Sequence, residues 1–151
     1  VSIKLNITAP ITEVEVHALG LTIGDVELAV YQNGKLELLN GGKYRLNEER
    51  ESIVVPSLRL ILPRENVTLT ISYSGTARMD GQGFFESWNA KENATDVGYI
   101  SLNTDCEPTS ARRWFPCFDE PDKKATFQLS IAHPGDTTAY SNTRLIHSSV
   151  E

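Results

Sequence analysis

Apolar and polar residues alternate with a period of two along most of this chain, and that pattern restricts it to β-structure. Val1, Ile3, Leu5 and Ile7 fall on one face of the first segment; Ser2, Lys4 and Asn6 fall on the other. Val14, Val16 and Ala18 repeat the spacing, as do Val26, Leu28 and Val30, and then Val67, Leu69, Ile71 and Tyr73. Pro10, Gly20, Gly24-Asp25, Gly41-Gly42 and residues 63–65 punctuate these runs as turns. Asn33-Gly34 is a strong hairpin signal, because both residues tolerate positive φ.

The remaining segments are assigned the same way. Residues 45–51 are polar and read as a connection, and residues 52–62 read as two short strands split at Pro56. Residues 74–93 lose the alternation and read as a long loop bearing Gly75, Gly81, Gly83, Phe84-Phe85 and Trp88. Short strands are expected at 99–102, 124–131, 138–141 and 145–150. Only 109–114 permits a turn or two of helix, with Thr109 or Ser110 as its cap. The expected fold is all-β, an antiparallel β-sandwich of twisted sheets.

With 151 residues the chain has the length of a single domain, residues 1–151. A net charge of −6 argues against nucleic acid as a partner, since phosphate binding needs a basic face. No apolar run approaches the roughly 20 residues of a membrane-spanning helix. The first residue is Val in a strand-like pattern, so the chain reads as a piece of a larger protein. The sequons at Asn6, Asn66 and Asn93 each carry Thr two residues on, which points to glycosylation in the secretory pathway.

One stretch breaks the alternation altogether. Residues 104–121, TDCEPTSARRWFPCFDEP, hold three of the seven prolines, both cysteines and six charged residues. Asp105 and Glu107 are two apart and share a face if a strand runs through them. Such a pair binds a cation or shares a proton, or is simply two solvated acids at a strand end. Arg112 and Arg113 with Asp119 and Glu120 form a candidate ion-pair net. Phe115 and Glu120 precede prolines, so extended backbone is expected from 114 to 118. Trp114, Phe115 and Phe118 are candidate core residues. Cys106 and Cys117 read as two buried free thiols, with a disulfide as the alternative. His17, His133 and His147 are isolated, without the spacing of a catalytic zinc site. Gly81-Gln82-Gly83 lacks the Lys-Ser/Thr of a phosphate loop.

Residues 106–121, followed by Lys124-Ala125-Thr126-Phe127, resemble the signature near the end of the amino-terminal domain of aminopeptidase N family zinc aminopeptidases. His133-Pro134, Ala139-Tyr140-Ser141-Asn142, residues 16–23 and Phe84-Phe85 are similar to other parts of that domain. The resemblance implies a saddle-like antiparallel β-domain packed beside a catalytic domain that this chain does not contain. It implies zinc in the full-length parent and none bound by this fragment, which alone should be inactive. It implies peptide substrates with a free amino terminus, and an extracellular or secretory-lumen location as the ectodomain of a membrane-anchored protein. Glu107 matches the glutamate that helps bind the substrate α-amine. Asp105 stands where the family commonly has Gln lining the pocket for the first side chain, so an acid there should favour Lys or Arg. A cis peptide after Glu107 is also implied. The alternative is a binding domain of a relative that has lost its zinc ligands.

Overall fold

The core forms where the inward faces of two antiparallel sheets meet. The computed structural model describes residues 1–32, 34–89 and 98–149, and among them are nine strands. These are β1 (Ser2–Asn6), β2 (Ile11–His17), β3 (Thr22–Gln32), β4 (Lys35–Leu38), β5 (Arg45–Asn47), β6 (Ser52–Ile61), β7 (Asn66–Ser74), β8 (Gly83–Asn89) and β9 (Tyr99–Asp105). One sheet has the order β1-β7-β3-β4, a second β2-β6-β5, and β8-β9 form a separate ribbon. The first sheet supplies Val26, Leu28, Val30, Val67, Leu69 and Ile71 to the core; the second supplies Val14, Val16, Ile53, Val55 and Ile61. Burying each such side chain stabilises the fold by roughly 1.5–3 kcal/mol. The expected all-β sandwich is therefore the observed one.

Asn40 is the most deeply buried polar residue among the described residues, at 1% exposure. It accepts from the Leu28 N–H at 3.0 Å and donates to the carbonyls of Val26 at 2.8 Å and Lys43 at 3.1 Å. These bonds satisfy the edge of β3 where the chain loops back through Gly41-Gly42, whose φ values are +55° and +72°.

Four sequence expectations are corrected. Gly24-Asp25 is not a turn but an irregularity within the continuous β3, between Ile23 and Val26. The absent Cβ of Gly24 lets the Ser72 hydroxyl approach, and that hydroxyl accepts the Asp25 N–H at 2.6 Å. Residues 52–61 form one strand, not two: Pro56 lies opposite Glu13 beside a register shift, where a missing N–H is tolerated. Part of the expected 45–51 connection is β5, an edge strand whose Arg45 pairs with Glu13 at 2.8 Å. Much of the expected 74–93 loop is β8, paired with β9 from Gly83↔Asp105 to Asn89↔Tyr99. Its two-sided partial burial hides the alternation.

Downstream, 124–131, 138–141 and the described part of 145–150 carry no strand. Their alternation is genuine, but a strand exists only against a hydrogen-bonding edge, and none of these residues meets one. Phe127, Tyr140 and Ile146 are accordingly 78%, 89% and 90% exposed.

Asn40→Ala leaves the Leu28 N–H and Val26 carbonyl buried without partners. The expected loss is about 2–6 kcal/mol, at roughly 1–3 kcal/mol per orphaned group, read as a lowered denaturant midpoint with unchanged slope.

Candidate functional site

The 104–121 segment is held by backbone bonds to a distant turn rather than by its own periodicity. His17 and Cys117 exchange backbone hydrogen bonds of 2.8 and 3.0 Å. Leu19 N–H donates to the Arg112 carbonyl at 2.9 Å, and Ala18 N–H to the Glu51 carbonyl at 2.8 Å. The Asp119 N–H donates to His17 Nδ1 at 3.3 Å, which leaves the His17 proton on Nε2. His17 is thus a structural acceptor.

Arg112 is the charged anchor. Its Nε donates to Asp119 Oδ2 at 2.8 Å and its Nη1 to Glu51 Oε2 at 2.9 Å. The Arg112 and Asp119 side chains are only 12% and 8% exposed, so water screens this pair weakly. The expected ion-pair net is therefore half right. Among the described residues Arg113 and Glu120 form no salt bridge, and Arg112 turns instead to Glu51, 61 residues away, which no local pattern reveals.

The local backbone is tighter than expected. A 3₁₀ turn spans Ala111–Arg113, and Trp114 remains helical at φ −104°, ψ −48° rather than extended. Trp114 and Phe115 N–H groups both reach the Ala111 carbonyl, at 2.9 and 3.0 Å, so the turn runs through Trp114, one residue short of the proline-restricted Phe115. Ser110 occupies the cap position without a side-chain cap bond. Phe118 packs against the core, whereas Trp114 and Phe115 stack edge to face at 5.0 Å outside it.

Asp105 and Glu107 stand before this pinned region, and both are exposed. β9 stops at Asp105, so the two carboxylates are not successive positions on one strand face. Instead Asp105 Oδ1 accepts the Glu107 N–H at 3.2 Å, and Glu107-Pro108 is cis, as the resemblance implied. Neither carboxylate has an ion-pair partner among the described residues. Gly83 lies opposite Asp105, at φ +68°; a Cβ there would stand 2.7 Å from Arg113 Cβ and 3.0 Å from the Ser110 carbonyl. The ribbon and the 3₁₀ turn consequently touch with no room to spare.

Cys106 and Cys117 are free. Burial pushes the Cys117 thiol up to about 12, with the Asp119 carboxylate adding to it. Burial also raises Cys106, helped by Asp119 and Asp105. Nucleophilic thiolates are thus suppressed at both. Among the described residues no three His, Cys, Asp or Glu side chains come together as a metal-ligand set. Asn6 and Asn66 are exposed strand-end residues, and Asn93 lies outside the described residues.

This architecture and segment define a class, the amino-terminal β-domain of a peptidase. The chain matches the Peptidase M1 N-terminal domain over residues 1–151 and belongs to that family. It is 32% identical over 148 residues to "Glutamyl aminopeptidase" of Homo sapiens, covering 94% of this chain and 15% of that protein. It is 31% identical over 150 residues to "Aminopeptidase M1" of Arabidopsis thaliana, covering 99% of this chain and 17% of that protein. Against "Glutamyl aminopeptidase" of Mus musculus identity reaches 62% over 74 residues, 49% of this chain and 8% of that protein. The chain therefore spans about one-sixth of the length of such relatives.

Two outcomes follow from the anchoring. Arg112→Ala strands Asp119 and frees the segment, at about 1.5–3 kcal/mol; amide exchange should accelerate at His17, Leu19 and Cys117. The Cys117 thiol stays protonated to about 12 when folded, but ionises near 8.5 when unfolded. Between those values the unfolded state binds fewer protons, so stability falls as pH rises through the window. Iodoacetamide at pH 8 should alkylate both cysteines far faster in denaturant than in the native protein.

Proposed function

We propose that this chain is the substrate-anchoring amino-terminal domain of a zinc aminopeptidase, one that releases amino-terminal residues from peptides. The observation that carries the reading is the exposed Glu107 carboxylate, at the end of an otherwise pinned segment, in a chain of the M1 family. A carboxylate held on rigid backbone pairs with the α-ammonium of a peptide through charge-assisted hydrogen bonds. Such an anchor fixes the distance from the amino terminus to the bond that is cut, and so makes an exopeptidase.

In this reading the domain contributes no catalytic group. Zinc, when bound in the parent, would polarise the scissile carbonyl or the attacking water from ligands outside the described residues. The residues here bind and orient: Glu107 takes the ammonium, and Asp105 lines the pocket of the first side chain. The Arg112–Asp119–Glu51 net keeps both in register with the catalytic domain on which this surface would pack. The parent acts at the cell exterior or in the secretory lumen, consistent with the exposed sequons at Asn6 and Asn66.

Asp105 favours Lys or Arg at the first position, because an opposite charge stabilises both partners and a like charge does not. The name "Glutamyl aminopeptidase" carried by two of the relatives points the other way, to an acidic first residue. In the full-length protein, Asp105→Gln should lower kcat/KM for an Arg-aminoacyl substrate relative to a Leu one. An initial Glu preference would instead overturn the basic-residue preference assigned to Asp105, and no change in either ratio would remove Asp105 from the pocket. Glu107→Gln should lower kcat/KM for all of these substrates by roughly 10- to 100-fold, the worth of one charged hydrogen bond.

A further inference from the structure

The outer face of the β1-β7-β3-β4 sheet carries an apolar patch that nothing among the described residues covers. Tyr31 on β3 is 59% exposed, and Leu36, directly opposite it on β4, is 66% exposed. On the other side of Tyr31 lies the start of β7. The β3–β7 ladder reaches Val30↔Val67, and the Gln32 side-chain amide donates to Glu65 at 3.1 Å, so the two strands stay side by side one further step. That places Tyr31 opposite Asn66, on the same face. Asn66 is in turn paired with Asn6 on β1. One row across the sheet therefore reads Asn6, Asn66, Tyr31, Leu36.

Asn66 begins the sequon Asn66-Val67-Thr68, and its exposed side chain shares the outer face with Thr68. Side chains directly opposite on neighbouring strands have Cβ atoms about 4.5–5.5 Å apart. A sugar attached at Asn66 Nδ2 would thus emerge beside the Tyr31 ring. N-acetylglucosamine presents one face of axial C–H groups, which are weakly positive. An aromatic ring presents a negative π-face to match. Stacking them removes apolar surface of both from water.

We propose that the occupant of this patch is the first N-acetylglucosamine of an N-linked glycan on Asn66, stacked on Tyr31 and bordering Leu36. The proposal rests on the secretory location given above. In the attachment, Nδ2 forms a bond to the anomeric carbon of a lipid-diphosphate oligosaccharide and loses one proton, and the lipid diphosphate leaves. The glycan on Asn6, one strand further out, is separated from Tyr31 by Asn66 and does not cover it.

The test uses the full-length protein secreted from animal cells. Glycan occupancy is read by peptide mass, and Tyr31 exposure by its rate of nitration with tetranitromethane. Nitration of Tyr31 should be about 2- to 10-fold slower with the Asn66 glycan, the range set by one aromatic stacking contact. Trimming by an endoglycosidase that leaves one N-acetylglucosamine should preserve the protection. Asn66→Gln should abolish it, and so should Thr68→Val, which destroys the sequon while keeping Asn66; Asn6→Gln should not. Equal nitration with and without the Asn66 glycan overturns the proposal. So does protection that persists in Thr68→Val, which would assign the patch to another part of the protein. A secreted protein with Asn66 bare overturns the proposal and leaves the secretory reading standing. A protein that never enters the secretory pathway overturns both.

Discussion

The backbone exchange between His17 and Cys117 is the join on which the rest of the candidate site depends. It fastens the end of a core strand to a segment 100 residues later, and it does so with main-chain groups. Side-chain charges then complete the fastening: Arg112 bridges Asp119 and Glu51, which itself accepts the Ala18 N–H through its carbonyl. Burial magnifies the electrostatic part, because a pair only 12% and 8% exposed is little screened. The two sheets supply cohesion through their shared apolar faces, but they do not by themselves orient residues 104–121. The His17–Cys117 join transmits the rigidity of the sandwich to the exposed carboxylates.

The distribution of burial mirrors this division of labour. Val16 at the end of β2 is fully buried, whereas the residues that would meet a substrate, Asp105 and Glu107, are exposed. A buried carboxylate would have to surrender its hydration before any ammonium arrived. An exposed one on a fixed backbone stays hydrated and is already positioned. The same economy explains the cysteines: half-buried thiols beside acidic neighbours fill space without becoming nucleophiles.

Strands with one buried face could be read directly from residue order, because period-two alternation records which side meets the core. β1, β2, β7 and the second half of β3 follow from Val, Ile and Leu spacing alone. Where both faces are half-covered the record is blurred, and β8 with its adjacent Phe84 and Phe85 reads as a loop. The converse failure is at 124–131, where Ala125, Phe127, Leu129 and Ile131 alternate but meet no strand edge. Alternation states a capacity to pair and is silent on the partner. Of the site, Asp105, Glu107 and the cis bond at Pro108 came through the resemblance of the 106–121 signature. Glu51 and His17 did not, since their roles arise from contacts 61 and 102 residues apart in the chain.

Gly83 carries a consequence for how such a site changes over time. Its backbone lies against the Arg113 side chain and the Ser110 carbonyl, and its ladder partner is Asp105. Any larger residue there would lever the ribbon away from the 3₁₀ turn and carry position 105 with it. The backbone around the anchor is thereby closed to gradual remodelling. If position 105 lines a first-residue pocket as proposed, selection acting on that pocket is left with exchanging what hangs from position 105, one side chain for another, on a frame that stays where it is.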